Sequence, residues 1–263
     1  MDLGLHGKRA LVTAASRGLG YAAAKGLAQE GVRLAINSRD GQSLHSSAEA
    51  LMAETNTKVF SLPGDVSDPT VPAQIVEKAV MALGGLDILI TNSGGPPPGN
   101  FEKFDDETWQ QSIDLLLLSH VRLIRAALPH LRQSDVASVL TVTSYSVKQP
   151  IPNLILSNSI RSATVGLTKT LALKLGPEGI RFNSILPAWI ETERVFELMS
   201  NRARVNKSTV DDETSKLAKD SSLGRMGKPY EFANAAVFLV SPAASFITGL
   251  MLTIDGGMYK GLF

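Results

Sequence analysis

The sequence lacks cysteine altogether, and this absence excludes disulfide bonds, thiolate metal ligands and cysteine nucleophiles. Histidine is scarce and scattered, with single residues at His6, His45, His120 and His130, so we expect no histidine metal site. Catalysis or binding must therefore depend on other side chains and on the backbone.

An excess of either charge is also missing, because 26 basic residues face 25 acidic ones and no run of lysine or arginine occurs. This balance argues against nucleic acid or an anionic membrane as the main partner and favours a small molecule. The chain has no stretch of about 18 apolar residues, and its N-terminus carries no basic-plus-apolar leader. We therefore expect a cytoplasmic protein that does not bind a membrane.

Apolar stretches of strand length alternate with helical patterns along the whole chain. In 263 residues this alternation fits a single domain, residues 1–263, built on a parallel sheet. We predict an α/β fold with a Rossmann-type, doubly wound sheet of about seven strands and helices on both faces, in three layers. The predicted strands are Arg9–Thr13, Val32–Asn37, Val59–Leu62, Leu86–Thr91, Val136–Val142, Arg181–Leu186 and Met251–Ile254.

The stretch from Thr13 to Gly20 joins the first predicted strand to an alanine-rich helix. A small-residue turn at this position points backbone N–H groups and the positive end of a helix dipole at one place, which suits a pyrophosphate. Gly18 and Gly20 allow the backbone to approach such a group closely. Because turns of this kind are common in α/β proteins, the other strand ends must support the interpretation.

The end of the second strand bears on the choice of cofactor. Sites that prefer NAD usually place an acidic residue there for the ribose hydroxyls, whereas this chain has Asn37, Ser38 and Arg39. Arg17 adds a second cation on the same side. We predict NADP(H) rather than NAD(H), because the arginines suit a 2′-phosphate, and the adjacent Asp40 leaves NAD(H) as the alternative.

Small and polar residues also follow the third, fourth and fifth predicted strands. Asp65-Val66 comes after the third, Asn92-Ser93-Gly94 after the fourth and Thr143-Ser144 after the fifth. The carboxyl ends of parallel strands meet at one edge of a sheet, where ligands of such folds bind. We therefore expect these residues and the Thr13–Gly20 turn to form one site.

Six stretches agree, in order and spacing, with the signatures of a known family: Thr13–Gly20, Asp65-Val66, Asn92–Gly94, Asn183–Pro187 with Thr192, Arg225–Pro229, and Thr248-Gly249 through Asp255–Gly257. On these stretches the chain resembles the short-chain dehydrogenases/reductases over essentially its whole length. Within that family it is most similar to the 3-oxoacyl-(acyl-carrier-protein) reductase type.

The resemblance implies an NADP-dependent oxidoreductase acting on a carbonyl, alcohol or acyl substrate. It also implies a homo-oligomer, a tetramer or a dimer, built through the helices around Leu116 and Ser157 and through the C-terminal segment. The implied cofactor-binding residues are Thr13, Ser16, Arg17, Gly18, Leu19, Gly20, Ser38, Arg39, Asp65, Val66, Asn92, Ser93, Gly94, Arg161, Pro187, Ile190 and Thr192.

The first departure from the family pattern lies in the glycine turn, where Ala14 stands at the position of the family's first glycine. A left-handed backbone would cost alanine about 1 kcal/mol. We therefore expect a negative φ at Ala14 and a slightly altered turn.

The second departure concerns the family's catalytic residues, which are a serine, a tyrosine, a lysine and an asparagine. The serine is present as Ser144, but Ser157 stands at the tyrosine position about thirteen residues later, and Arg161 stands at the lysine position. At the asparagine position, seven residues after Trp109, the chain has Leu116. We predict catalytic positions at Ser144, Ser157 and Arg161 with weak or atypical activity, because a serine hydroxyl is a far poorer acid than a phenol.

Three other residues or pairs are candidates for the missing acid. Tyr21 and Lys25 form a literal Tyr-x-x-x-Lys, which we interpret as a coincidence on the first helix. Tyr145 follows Ser144 directly and is a candidate donor, although alternation at a strand end favours a different orientation. His120 lies one helical turn after Leu116 and is expected to be a buried or interface histidine.

Residues 191–222 are polar, helical in composition and poor in apolar periodicity. We interpret this stretch as a mobile substrate lid inserted in the domain, although its charges would also suit a solvated face.

The sequence leaves three functions open. The first is an NADP-dependent oxidoreductase that works slowly or through an unusual proton donor. The second is a non-catalytic dinucleotide-binding pseudoenzyme or sensor. The third is a different chemistry on the same frame, since halohydrin-eliminating relatives also have an arginine at the position of Arg161 but require the tyrosine.

Overall fold

A computed structural model describes residues 1–262 of the chain, and within them seven strands form one sheet. The strands are β1 (Arg9–Val12), β2 (Arg33–Ser38), β3 (Val59–Pro63), β4 (Ile88–Thr91), β5 (Ser138–Val142), β6 (Arg181–Pro187) and β7 (Met251–Ile254). These strands coincide with the predicted ones to within a few residues at each end.

The helices lie between the strands, as the alternating pattern predicts. They are α1 (Gly18–Gln29), α2 (Gly41–Thr55), α3 (Val71–Leu83), α4 (Asp106–Ile113), α5 (Ser119–Leu131), α6 (Ile155–Leu175), α7 (Glu193–Asn206), α8 (Val210–Asp220) and α9 (Pro229–Val240). A π-helical turn, Asp114–Leu118, joins α4 to α5, so the helical stretch from α4 to α5 is not a regular α-helix throughout.

All neighbouring strands are parallel, and their order across the sheet is β3-β2-β1-β4-β5-β6-β7. The chain runs outward in one direction from β1 to β3, returns to β4 on the other side of β1, and then continues to β7. The direction therefore reverses between β1 and β4, and open α/β sheets bind ligands at such a reversal. This is the predicted Rossmann-type doubly wound sheet.

Alternate residues of the strands pack on opposite faces of the sheet, because side chains of a strand alternate in direction. Ala10 and Val12 of β1 belong to an apolar cluster with α1, α2 and α9. Leu11 belongs to a second cluster with α3, α5 and α6. The two clusters give the predicted three layers and fix the sheet as a rigid base for its carboxyl edge.

Residues 191–222 form α7, α8 and the turns around them, so their predicted helical character is confirmed. The expected lack of apolar periodicity is wrong, because α7 buries Val195, Met199 and Ala203 at four-residue spacing. Val195 and Met199 join a cluster with Tyr145 and Trp189 beside the carboxyl edge of the sheet. The segment therefore has its own packed contact with the domain.

Within residues 1–262, none of the helices combines the length and the apolarity that crossing a membrane would require.

Candidate cofactor and active site

A cleft of about 700 Å³ opens at the carboxyl edge of the sheet. It is lined by residues that follow each of the strands β1 to β6 and by the start of α7. Ser144, Tyr145, Ser157 and Arg161 all line it. The predicted cofactor-binding residues that also line it are Ser16, Arg17, Gly18, Leu19, Ser38, Arg39, Asp65, Val66, Asn92, Ser93, Gly94, Arg161, Pro187, Ile190 and Thr192.

Thr13 and Gly20, the two remaining predicted cofactor residues, lie behind the cleft wall and shape it. The Thr13 hydroxyl donates to the Asn92 carbonyl oxygen at 2.7 Å and accepts from the Asn92 N–H at 2.9 Å, which joins the ends of β1 and β4. A Cβ atom on Gly20 would lie 2.2 Å from the carbonyl oxygen of Ala14. Glycine at position 20 therefore allows α1 to begin directly against the turn.

The expectation of a negative φ at Ala14 is wrong, because the structure has φ at 48° there. The turn has to bring the Ala15 N–H to the Asn37 carbonyl oxygen, at 2.9 Å, while Gly20 approaches the Ala14 carbonyl from the other side. These contacts hold Ala14 in the left-handed region at a cost of about 1–2 kcal/mol. The turn thus has a left-handed residue at position 14 although that residue is not a glycine.

The far end of the cleft carries the residues that bear on the choice between NAD(H) and NADP(H). Arg39 lies 3.7 Å from the Asp65 carboxylate, and its side chain is 72% exposed. The Ser38 hydroxyl lies 2.9 Å from that of Ser16. Asp40 accepts the Ser43 N–H at 2.8 Å as the N-cap of α2, and this hydrogen bond lowers the pKa of its carboxyl. Asp40, the residue that left NAD(H) as the alternative cofactor, thus caps helix α2.

Helix α7 contacts the Thr13–Gly20 turn through charged side chains. Glu197 lies 4.0 Å from the Arg17 guanidinium and 3.6 Å from that of Arg194. Arg194 also donates to the Pro96 carbonyl oxygen at 3.0 Å. The first residues of the 191–222 segment therefore line one side of the cleft.

The opposite end of the cleft holds Ser144, Ser157 and Arg161. Arg161 is 8% exposed and donates through Nε to the Ser157 hydroxyl at 3.2 Å. Its Nη1 donates to the carbonyl oxygens of Val142 and Thr143, at 3.1 and 3.3 Å, at the end of β5. Burial, followed by the positive charge of Arg194, lowers the pKa of Arg161 to about 10, so the guanidinium remains protonated at neutral pH.

Leu116 occupies the position at which the resemblance leads one to expect an asparagine, and it is a core residue. Its side chain is fully buried in a cluster with Leu156 and Ile160. Its backbone carbonyl, in the π-helical turn, accepts a hydrogen bond from the Thr164 hydroxyl at 2.6 Å. The carbonyl oxygen of Leu116 thus has a hydrogen-bond donor within the protein.

His120 is buried, as expected from its position one turn after Leu116. Its Nδ1 lies 2.7 Å from the Thr91 hydroxyl, and its Nε2 has no hydrogen-bond partner among the described residues. Burial, assisted by the positive charge of Arg161, lowers the pKa of His120 to about 3. The imidazole is therefore neutral and does not supply a proton at ordinary pH.

Tyr145 lines the cleft, although alternation at the strand end favoured a different orientation. It is 7% exposed and packs with Trp189 and Met199. Burial, and then the negative charge of Asp220, raises the pKa of its phenol. The remaining pair, Tyr21 and Lys25, lies on α1 outside the cleft lining, where Lys25 forms an ion pair with Glu54.

Several cleft residues were not found by sequence reasoning. They form an apolar wall beside Ser157, made of Ile151, Leu154, Trp189, Val195 and Leu198. No motif marks them, because their common position depends on the packing of α6 and α7 against the end of β6.

The fold and this cleft define a dinucleotide-binding α/β domain with a polar site next to an apolar pocket. A sequence model of the family described as enoyl-(acyl carrier protein) reductase matches residues 13–259. The chain is 32% identical, over 98% of either chain, to an L-rhamnose 1-dehydrogenase (NAD(P)⁺) of Sphingomonas sp. (strain SKA58). The chain belongs to the short-chain dehydrogenase/reductase family.

Solved structures of the same family superpose over nearly the whole chain. The L-sorbose reductase of Gluconobacter frateurii, complexed with NADPH and L-sorbose, has a TM-score of 0.95 at 31% identity and covers 100% of each chain. An NADPH-bound short-chain oxidoreductase from Pseudomonas aeruginosa PAO1, described as containing an atypical catalytic center, has a TM-score of 0.88 at 29% identity over 97% of each chain.

Proposed function

We propose that the protein is an NADP(H)-dependent oxidoreductase that interconverts a carbonyl and an alcohol without the family's tyrosine and lysine. The observation that carries this proposal is that one cleft contains the phosphate-binding turn, Arg39, Ser144 and the Ser157–Arg161 pair. A 3-oxoacyl thioester is the substrate that the resemblance suggests first.

The residues at the carboxyl edge fit NADP(H). The turn before α1 offers N–H groups and a helix N-terminus to a pyrophosphate, and Gly18 takes the positive φ of 60° that such a turn uses. Around Gly94 there is open space, since a Cβ there would meet nothing within 4 Å. Ser38 and Arg39 suit a 2′-phosphate. Relatives with solved NADPH complexes support the same assignment.

When bound, NADPH supplies a hydride to the carbonyl carbon, and the carbonyl oxygen then needs stabilisation and a proton. Ser144 donates a hydrogen bond to that oxygen from the end of β5. Arg161 stabilises the negative charge that develops on the oxygen, because a buried guanidinium acts in a low-dielectric environment. Ser157 holds the Arg161 guanidinium in place through its contact with Nε at 3.2 Å.

We assign the role of proton donor to the carbonyl oxygen to water or to a group of the substrate rather than to Tyr145. A buried phenol with a raised pKa is a weaker acid than a free one. Loss of a positioned general acid typically costs 10²- to 10⁴-fold in rate. We therefore expect slow turnover compared with relatives that retain the tyrosine.

The second candidate function is a dinucleotide-binding pseudoenzyme or sensor. The observation that favours it is the protonation state of three groups in and beside the cleft, since the Arg161 guanidinium is protonated, the His120 imidazole is neutral and the Tyr145 phenol is a weak acid. A module of this kind would bind NADPH tightly and would not oxidise it, whichever acceptor is added.

The two candidates are separated by one experiment on the purified protein. NADPH fluorescence measures binding, and loss of the nicotinamide absorbance is followed with β-keto thioesters, ketones and quinones. Turnover with any acceptor supports the reductase, and binding without turnover across the panel supports the module. Absence of NADPH binding contradicts both.

A homo-oligomer is also part of the proposal. The family resemblance supports it, and Leu173, near the end of α6, is a large apolar side chain that is 72% exposed. Light scattering during gel filtration tests this, and a monomer at micromolar concentration contradicts it.

A further inference from the structure

The arginines of the cleft differ in how their charges are balanced. Four line it: Arg17, Arg39, Arg161 and Arg194. Glu197 lies within 4.0 Å of both Arg17 and Arg194, and Asp65 lies 3.7 Å from Arg39. Among residues 1–262 no acidic side chain forms an ion pair with Arg161.

Arg161 is also the most deeply buried of the four. Its donors at Nε and Nη1 meet only uncharged oxygens, those of Ser157, Val142 and Thr143. No hydrogen bond within residues 1–262 uses Nη2. Burying an ion without a counterion costs several kcal/mol, and the lowered pKa of Arg161 reflects this burial and the field of Arg194. The catalytic end of the cleft thus has a positive charge that the protein leaves unneutralised.

The phosphates of a dinucleotide do not account for this charge. They belong at the turn after β1, whereas Arg161 contacts the end of β5. β4 lies between these two strands, so the two places are about 10 Å apart at the usual strand spacing. The anion that Arg161 suits must come from another molecule.

We propose that the substrate carries a carboxylate next to the carbonyl group that is reduced, as in 2-oxo and 3-oxo acids, and that Arg161 binds this carboxylate. The inference rests on the proposed reductase function and replaces the 3-oxoacyl thioester with a free oxo acid as its substrate class. The Nη2 group, which no hydrogen bond within residues 1–262 uses, is the donor left for this carboxylate, and hydrogen bonds between two charged groups are stronger than those between neutral ones. The apolar wall of Ile151, Leu154, Trp189, Val195 and Leu198 then receives a hydrophobic side chain of the acid.

The test measures binding to protein loaded with NADP⁺, so that no turnover interferes. The ligands are phenylpyruvate, 2-oxohexanoate and 3-oxohexanoate, each compared by calorimetry with its methyl ester, together with an acetoacetyl thioester. An ester keeps the carbonyl group and nearly the same shape but has no charge. We expect at least one acid to bind tenfold or more tightly than its ester.

Two substitutions assign that preference to one residue. Arg161→Gln should bring the ratio of acid to ester affinity close to one, whereas Arg161→Lys should retain part of it. Arg194→Gln is the matched control, because it removes a guanidinium of the same cleft that already has Glu197 as a partner, and it should keep the preference. Using the ratio removes effects that act on both ligands equally.

The outcomes separate this inference from the function on which it rests. Failure of NADP⁺ to bind contradicts the proposed function and the inference together. Binding of NADP⁺ with equal affinity for acid and ester, with a preference for ester or thioester, or with no acid bound at millimolar concentration overturns the inference alone. Loss of the preference in Arg194→Gln but not in Arg161→Gln also overturns it.

Discussion

At the scale of single residues, position 161 differs in acid–base chemistry from the lysine that the family resemblance implies. A lysine amine gives up its proton within reach of physiological pH when its environment is adjusted, whereas a guanidinium starts from a much higher pKa. Even with its pKa lowered to about 10, Arg161 stays charged. Its contribution is therefore electrostatic, and the proton has to come from elsewhere.

The hydroxyl of Ser144 should contribute more to turnover than that of Tyr145. Removing a single donor to a developing oxyanion typically costs 10²- to 10³-fold in kcat, so we expect a loss of about 10²-fold in Ser144→Ala. Tyr145→Phe keeps the ring in its apolar cluster and should leave kcat in the range of the parent protein. NADPH oxidation with the best acceptor of the panel measures both. A large loss in Tyr145→Phe would make the phenol a participant.

His120 should make the protein less stable as the pH falls. Its pKa is 6.5 when unfolded and about 3 when folded, so the unfolded chain binds the extra proton between these values. Stability conferred by the neutral imidazole is therefore present above pH 6.5 and is lost as the pH decreases. Between pH 6.5 and pH 5 this amounts to about 2 kcal/mol.

Urea unfolding of the parent protein and of His120→Asn at pH 7 and pH 5 measures this loss. Asparagine keeps a hydrogen-bonding group for Thr91 but does not titrate in this range. The free energy of unfolding of the variant should therefore fall by about 2 kcal/mol less between pH 7 and pH 5 than that of the parent protein. His6→Asn, at an exposed site, serves as the control and should follow the parent protein. Equal slopes in all three proteins would contradict the prediction.

At the scale of elements, the β1–α1 turn requires glycine at position 20 but accepts a side chain at position 14. Ala14 accepts a positive φ, which is strained but possible for alanine. At Gly20 the obstacle is a backbone atom, the carbonyl oxygen of Ala14, which has no freedom to move while α1 and β1 keep their places. The family's first glycine is therefore replaceable here, and Gly20 is not.

Gly20→Ala should abolish NADPH binding and lower the melting temperature, because its Cβ would lie 2.2 Å from the Ala14 oxygen. Gly166→Ala is the matched control, since a Cβ at this exposed position of α6 meets no atom within 4 Å. Because Gly166 lies in a helix interior, Gly166→Ala should raise the free energy of unfolding by about 0.5–1 kcal/mol. NADPH fluorescence titration and thermal unfolding of both variants check this, and normal NADPH affinity in Gly20→Ala would refute it.

In residues 191–222, apolar packing and surface charges contribute differently to the position of α7. Met199 is fully buried in the apolar cluster under α7, whereas the ion pair of Arg17 with Glu197 spans 4.0 Å between exposed side chains. An exposed pair of this kind contributes little stability. Apolar burial therefore holds α7 beside the cleft, and the charges only adjust its outer surface.

At the scale of the whole molecule, the net charge of +1 gives no general attraction for anions. Affinity for a phosphorylated cofactor has to come from the local placement of cations at the carboxyl edge of the sheet. Arg39, at the end of β2, is placed there, whereas Arg33 begins the same strand and is therefore at the other edge.

Arg39→Ala should reduce NADPH affinity about tenfold or more, equivalent to about 1.4 kcal/mol, and leave NADH affinity unchanged. Arg33→Ala removes the same charge at the opposite end of the strand and should change neither. Fluorescence titrations with both cofactors provide the test. An equal loss for NADPH and NADH in Arg39→Ala would show that this arginine does not recognise the 2′-phosphate.

Most of the fold could be predicted from the sequence, because strand and helix periodicities are local properties of the chain. The interruption of the helix at residues 114–118 could not, since Leu116 fits a helix and the π turn arises from packing against α6. Ala14 was predicted wrongly for a related reason. Local cost favoured a negative φ, but tertiary contacts at Ala15 and Gly20 required the opposite sign.

The sequence by itself determined the family, the sheet and the identity of the side chains at its carboxyl edge, because these follow from periodicity, motif spacing and residue type. Only the tertiary structure decided that Arg161 is buried without a carboxylate, that His120 is neutral, and that apolar side chains of α7 join the cleft. Burial and the nearest charges depend on contacts between segments far apart in the chain, and no local pattern encodes them.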